Sequence, residues 1–341
     1  MALLEVRDLS IRFATVDGGT VCAVNGITLD LQRGEVLGIV GESGSGKSQT
    51  WLGVLGLLAR NGRAEGSARF DGKELLGLSH AALNHLRGAR MGMIFQDPMT
   101  ALNPFLSVGR QLTEVLQQHR GVGRREAERE AIAALEMVHI TDARRRLSMH
   151  PHEFSGGMRQ RVMIAMAMLT RPDVLICDEP TTFLDVTVQR QILALLDELR
   201  QRFNTAIVFI THDLGVIAEI ADRVIVMYGG RVMEQADVHT LFADYRHPYT
   251  EGLLRSVPRP DVTSHGALAT IAGNPPDLAR CPRAVRSRHA ACTASRAATR
   301  RCRTCSMSAP ITGAPVITSA RWASCRPWHE RAARAAAARG R

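Results

Sequence analysis

Residues 41–48 read Gly41-Glu42-Ser43-Gly44-Ser45-Gly46-Lys47-Ser48, a full match to the phosphate-binding pattern G-x-x-x-x-G-K-[ST]. An apolar run, Val36 to Val40, precedes it and a helical stretch, Gln49 to Leu58, follows; this is the strand–loop–helix setting the pattern needs. Its glycines let successive backbone N–H groups turn inward on phosphate oxygens, and the helix N-terminus behind them adds a positive dipole end. Lys47 is expected to reach the β- and γ-phosphates and Ser48 to ligate Mg²⁺. Among 43 basic residues only Lys47 and Lys73 are lysines, so the loop keeps a compact ammonium where a forked guanidinium would not fit. The candidate nucleotide contacts are Gly41, Ser43, Gly44, Gly46, Lys47, Ser48 and Gln49.

A second group of residues suits the chemistry of hydrolysis. Val174 to Cys177 is an apolar strand that runs into two carboxylates, Asp178 and Glu179. Beside a phosphate loop these acids need different jobs: Asp178 near Mg²⁺, and Glu179 as general base on the attacking water. Gln96 directly follows another short apolar strand, Met91 to Phe95, where its amide can reach Mg²⁺ or the water. His212 follows the apolar run Ile207 to Thr211. A lone strand-end histidine is more often structural, but ligands of open α/β sheets bind at the carboxyl ends of strands, where Asp178 and Gln96 also fall. Finally, Ser155-Gly156-Gly157 opens a helix running to Leu169: Ser155 is a good N-cap, and the glycines expose N–H groups as a second anion-binding surface. The methionines of that helix, Met158, Met163, Met166 and Met168, read as packing residues.

The elements that must position these groups alternate along the chain. Strands are expected at Leu3–Arg12, Val21–Leu31, Val36–Val40, Ser67–Phe70, Met91–Phe95, Val174–Cys177, Thr205–Ile210 and Asp222–Tyr228. Helices are expected at Gln49–Leu58, Thr187–Arg202 and Leu214–Ala221. This order argues for an α/β fold with a mostly parallel sheet covered on both faces. Residues 107–171 are helical in pattern, interrupt the alternation, and read as a separate subdomain.

Together these residues resemble the ATP-binding-cassette ATPases over about residues 3 to 278. Ser155-Gly156-Gly157-Met158-Arg159-Gln160 is similar to the family's signature motif, which binds the γ-phosphate of a nucleotide held by an opposing subunit. The resemblance implies a P-loop NTPase (RecA-like) core with an antiparallel β subdomain and an inserted helical subdomain at about 97–171, within a cassette spanning 1–240. It makes Gln96 the Q-loop residue, Asp178 and Glu179 the Walker B pair, Leu184-Asp185 the D-loop and His212 the switch histidine. Phe13 stands where the family sets an aromatic against adenine, although a strand phenylalanine is as often core. The implied cofactors are ATP and Mg²⁺.

Finer features resemble the dipeptide, oligopeptide and nickel importer branch: Phe95 to Pro104, Pro151-His152-Glu153-Phe154, Arg246-His247-Pro248-Tyr249-Thr250-Glu251-Gly252-Leu253-Leu254, and Gly273 to Leu278, the last two within an extension at 241–278. That branch implies an ATP-hydrolysing subunit at the cytoplasmic face of a bacterial inner membrane, powering uptake of peptides or a nickel complex. The implied partners are two permease subunits, a second homologous ATPase and, through the permeases, an external binding protein. The other reading is a non-transport ATPase of the superfamily, such as a phosphonate-breakdown component; Glu179 and His212 argue against a regulator that binds nucleotide without hydrolysis. One departure from the pattern is Phe183, a bulky ring beside the D-loop where a small residue is usual.

Composition bounds these readings. Residues 279–341 hold 14 Arg and a single acid, Glu330; their +13, set against +10 for the whole chain, leaves −3 for residues 1–278, which offers no footprint for nucleic acid. The tail cysteines, Cys281, Cys292, Cys302, Cys305 and Cys325, fit no cluster or zinc spacing, and the Arg/Ala-rich text around them has too little apolar content to fold alone, as a shifted reading frame in a GC-rich gene would give. Cys22 and Cys177 are expected to be buried thiols. No run reaches the about 18 apolar residues of a membrane span, and the charged opening Glu5, Arg7, Asp8 is no secretory signal, so a cytoplasmic location is expected.

Overall fold

The computed structural model describes residues 2–182, 184–256 and 278. In chain order its elements are β1 (Leu4–Ala14), β2 (Thr20–Leu31), β3 (Val36–Val40), α1 (Lys47–Val54), β4 (Gly62–Phe70), β5 (Lys73–Glu74), α2 (His80–Asn84) and β6 (Met91–Ile94). There follow α3 (Pro98–Ala101), α4 (Val108–Arg120), α5 (Arg124–Met137), α6 (Ala143–Arg146), a 3-10 turn (Pro151–Glu153) and α7 (Gly156–Met168). Last come β7 (Val174–Asp178), α8 (Val186–Phe203), β8 (Ala206–Thr211), α9 (Leu214–Ile220), β9 (Arg223–Tyr228), β10 (Arg231–Asp237), α10 (Val238–Ala243) and α11 (Pro248–Ser256).

Two sheets result. One has four antiparallel strands in the order β2-β1-β4-β5, and the other six strands in the order β10-β9-β3-β8-β7-β6, parallel except for β10. β3, β7 and β8 are buried at every position. Their continuous apolar runs follow from this, because a parallel sheet is covered on both faces. Side-chain alternation divides each strand between two cores: Val36 and Val40 of β3, Leu175 and Cys177 of β7, and Ile207 and Phe209 of β8 pack into the core shared with the helical segment. Leu37, Ile39, Val174, Ile176, Ala206, Val208 and Ile210 pack into the core shared with α1 and the antiparallel sheet.

The alternating pattern held, with shifted boundaries. β1 runs two residues past Arg12, and β4 starts five before Ser67. α1 begins at Lys47, inside the phosphate motif, and ends at Val54 because Gly56 turns to φ 63°. The helical stretch 107–171 is four helices and a 3-10 turn, punctuated by left-handed Gly121, His139 and Asp142. β10 was not expected: its burial is mixed, so no clean period-2 pattern marks it. The signal that was available is Gly229-Gly230, both at positive φ, making the two-residue turn of a β9–β10 hairpin. Cys177 is fully buried, which pushes its thiol well above the ordinary range, but Cys22 is only half-buried, so the expectation of a core thiol fails there. The tail cysteines and the Gly273–Asp277 segment lie outside the described residues.

Candidate functional site

Strand register builds the site. Val40 of β3 pairs with Thr211 of β8, Asp178 of β7 with Ile210 of β8, and Ile94 of β6 with Cys177 of β7. The strands are parallel, so their carboxyl ends finish nearly level, and Gly41, His212 and Glu179, each the next residue of its strand, with Gln96, the second residue past β6, emerge along one edge.

The phosphate loop closes over α1. Gly46, at φ 97°, caps the helix with no side-chain acceptor, leaving the first N–H groups pointing toward the loop. Two glycines there are demanded by close backbone approach: a Cβ on Gly41 would lie 2.2 Å from the Met227 carbonyl oxygen, and one on Gly46 2.5 Å from the Ala23 carbonyl oxygen. Lys47 is buried, and its Nζ donates to the carbonyls of Gly41 at 2.7 Å and Glu42 at 2.9 Å. Burial pulls the ammonium below its ordinary pKa, opposed by the charges of Glu179, Asp178 and Glu42. Ser43 and Gly44 are exposed at the rim, and Gln49 is half-buried in the first turn of α1.

Asp178 and Glu179, adjacent in the chain, face different partners. Asp178 is buried and accepts the Ser48 hydroxyl at 2.8 Å. Burial raises its carboxyl above the usual range, against the opposing pull of the Ser48 hydrogen bond and Lys47. Glu179 turns the chain at φ 47°, a left-handed conformation unusual for glutamate. Its Oε2 accepts from Gln96 Nε2 at 2.9 Å and from Thr182 Oγ1 at 3.0 Å, and its Oε1 stands 3.4 Å from His212 Nδ1. Glu179 is 16% exposed and His212 61%, so the carboxylate is sheltered behind an accessible imidazole. Gln96, Glu179 and His212 thus come together beside Ser48 and Asp178. Among the described residues no group of three or more His, Cys, Asp or Glu side chains forms a metal cluster. The oxygen donors of Ser48, Asp178 and Gln96 are the hard set that Mg²⁺ takes with one carboxylate and a nucleotide's phosphates.

Ser155, Gly156, Gly157 and Asp185 form a second patch. Ser155 caps α7 by accepting the Met158 N–H at 3.3 Å, and Asp185 caps α8 by accepting the Val188 N–H at 2.9 Å. The helix starts adjoin, since a Cβ on Gly157 would meet Val188 Cγ1 at 2.7 Å. Met163 and Met168 are buried and Met158 and Met166 half-buried in the core. Phe13 is half-buried on β1 with its ring against Gly62, and packs on the core beside α1. Phe183 lies outside the described residues.

Sequence reasoning missed Thr182, which a hydroxyl three residues after Glu179 could have flagged. It also gave no role to Tyr249, whose hydroxyl oxygen accepts the Glu42 N–H of the phosphate loop at 3.3 Å.

With this geometry in view, the comparisons with known proteins are specific. Residues 24–182 match the "ABC transporter" family model, and residues 233–293 match the "Oligopeptide/dipeptide transporter, C-terminal region" model. The chain is 58% identical over 282 residues to the oligopeptide transport ATP-binding protein OppD of Salmonella typhimurium, covering 82% of this chain and 83% of that protein. It is 48% identical over 292 residues to the dipeptide transport ATP-binding protein DppD of Bacillus subtilis, covering 82% and 87%. Among solved structures it resembles a dimeric post-hydrolysis form of the ATP-binding cassette MJ0796 bound to ADP and Pi, with a TM-score of 0.62 and 26% identity, over 69% of this chain and 98% of that one. A nucleotide loop, a carboxylate pair and a strand-end histidine on one sheet edge, with this degree of likeness, make the chain a member of the ABC transporter ATP-binding family, an ATP-hydrolysing cassette of the oligopeptide/dipeptide type.

Proposed function

We propose that the chain is the ATPase subunit of a bacterial importer that takes up di- or oligopeptides, and that Glu179 is its general base. The observation that carries hydrolysis is the Glu179 carboxylate, fixed by Gln96 and Thr182 on one oxygen and facing His212 with the other, at the strand edge that bears the phosphate loop. Peptide uptake is carried over from the relatives' names.

In this reading Lys47 exchanges its two loop carbonyls for the β- and γ-phosphates. Ser48, Asp178 and Gln96 hold Mg²⁺, which when bound would neutralise charge on those phosphates. Oε1 of Glu179 takes the proton of the attacking water, while Gln96 and Thr182 keep the carboxylate oriented. His212 donates to the γ-phosphate as its charge grows. Ser155, Gly156, Gly157 and Asp185, at the adjoining starts of α7 and α8, meet the nucleotide of a second cassette, so the working unit is a dimer, with a homologous ATPase as partner. Phe13 would stack on adenine.

No helix among the described residues is long and apolar enough to cross a membrane, so the chain's route to transport is docking on permease subunits. The surface that suits docking is a groove of about 260 Å³ between the parallel sheet and the helical segment, lined by Leu55, Leu57, Phe95, Met163 and Met166 among others. Leu57 and Phe95 are 41% and 44% exposed, and Phe105 nearby in sequence is 87% exposed, an apolar cost that a partner would remove. The test is isolation of the tagged protein from solubilised membranes. Co-purification of two permeases and a second cassette is the expected result; soluble enzymes or nucleic acid in their place would overturn the importer reading.

A further inference from the structure

Tyr249 is 1% exposed on α11, beyond the residues that match the cassette model. Its hydroxyl oxygen accepts the backbone N–H of Glu42, the second residue of the phosphate loop, at 3.3 Å. The carbonyl of the same residue accepts Lys47 Nζ at 2.9 Å. A short relay therefore runs from α11 through one loop residue to the phosphate-binding lysine.

The tyrosine is itself held firmly. Its ring packs on Tyr228 with centroids 4.6 Å apart. Its N–H donates to His247 Nδ1 at 3.1 Å, and the N–H groups of Arg246 and His247 donate to the carboxylate of Glu234 on β10 at 2.6 and 3.1 Å. The hairpin that anchors it also touches the loop, through the Gly230 N–H on the Ser45 carbonyl at 3.0 Å. Burial raises the Tyr249 phenol above its ordinary range, so the hydroxyl stays neutral.

We propose that Tyr249 is a positioning residue for the phosphate loop: by accepting the Glu42 N–H it fixes the residue whose carbonyl steers Lys47, so that the C-terminal segment sets nucleotide affinity from outside the cassette. By reciprocity, nucleotide held on the loop tightens the docking of α11. The inference rests on the ATP site and is independent of what is transported.

Y249F in the full chain keeps the ring and deletes the acceptor. Loss of one hydrogen bond is worth about fivefold in KM for ATP, with kcat held within about twofold. L254A, at a buried position on the same helix and in a different part of the sequence from the loop, serves as the packing control. It is expected to lower Tm while leaving KM within about twofold. A KM for Y249F within about twofold of the wild-type value would overturn the proposal, as would an equal rise in KM from L254A, which would reduce the tyrosine to a packing role. Both outcomes leave ATP hydrolysis by the wild-type chain intact, and loss of peptide uptake in cells would bear on the transport reading alone.

Discussion

Replacing Glu179 by Gln removes the proposed base and spares the contacts that hold it. Oε2 of Glu179 accepts from Gln96 at 2.9 Å and Thr182 at 3.0 Å. A glutamine with its amide oxygen in that place keeps both bonds. Its NH₂ then faces His212 Nδ1, which accepts in the matching neutral tautomer 3.4 Å away. The left-handed backbone at φ 47° is no harder for glutamine than for glutamate. Stability should therefore change by less than about 0.5 kcal/mol. Lys47 and Ser48 are untouched, so ATP affinity should stay within about threefold. What disappears is the basic oxygen, and a positioned general base contributes about 10²–10⁴-fold, or about 2.7–5.5 kcal/mol of barrier. Phosphate release under saturating Mg·ATP, with displacement of a fluorescent ATP analogue as the binding measure, separates the two effects. Turnover by E179Q above about a tenth of wild type would give the proton to another group. Loss of ATP binding would show that the amide had disturbed the loop and not the chemistry.

Gly41→Ala should be far more damaging than its one methyl suggests. The added Cβ would lie 2.2 Å from the Met227 carbonyl, a backbone atom of β9 that cannot swing aside, and overpacking of this kind costs about 1–3 kcal/mol or more. Thermal unfolding should show a clear fall in Tm together with weakened ATP binding; a wild-type melting curve would mean the loop is not pinned on β9. His247 supplies a pH dependence. Burial, opposed by the smaller pull of Glu234, holds its imidazole below the ordinary 6.5. The folded chain therefore binds fewer protons there than the unfolded chain, so this contribution is complete above 6.5 and is lost as pH falls from 6.5 through the lower folded value. Protonation also removes the Nδ1 acceptor of the Tyr249 N–H. H247N keeps an acceptor and removes the titration, so its Tm should fall less than that of wild type between about pH 7 and about pH 5. Parallel Tm curves for the two proteins would refute the assignment.

Most of the site could be read from the chain because its residues follow apolar strands directly. A run such as Val174-Leu175-Ile176-Cys177 announces a buried strand, and a parallel sheet then brings its successors to a common edge. Contacts that depend on tertiary placement stayed hidden. Tyr249 lies 207 residues from Glu42, and nothing in either neighbourhood encodes their meeting. Thr182 sits close to its partner, yet its role depends on the left-handed turn at Glu179, which glutamate propensity does not suggest. β10 escaped because an edge strand with mixed burial carries no clean period. The end of α1 was misplaced by four residues, because the left-handed conformation at Gly56 stops the helix at Val54, short of Leu58.

The seam between the two sheets has a mechanical meaning. At one end the Asn25 N–H donates to the Gly230 carbonyl at 2.8 Å. At the other, Arg223 spans Glu35 at 2.8 Å and Asp30 at 3.3 Å, tying the start of β9 to the end of β2. Gly46 lies within that seam, too close to the Ala23 carbonyl to admit a side chain. The antiparallel sheet, the parallel sheet and the phosphate loop are thereby riveted into a single stiff block. Under the proposed function such a block would serve as the anvil: a stroke that the seam resists would pass to the helices inserted between β6 and β7, with Gln96 at their root.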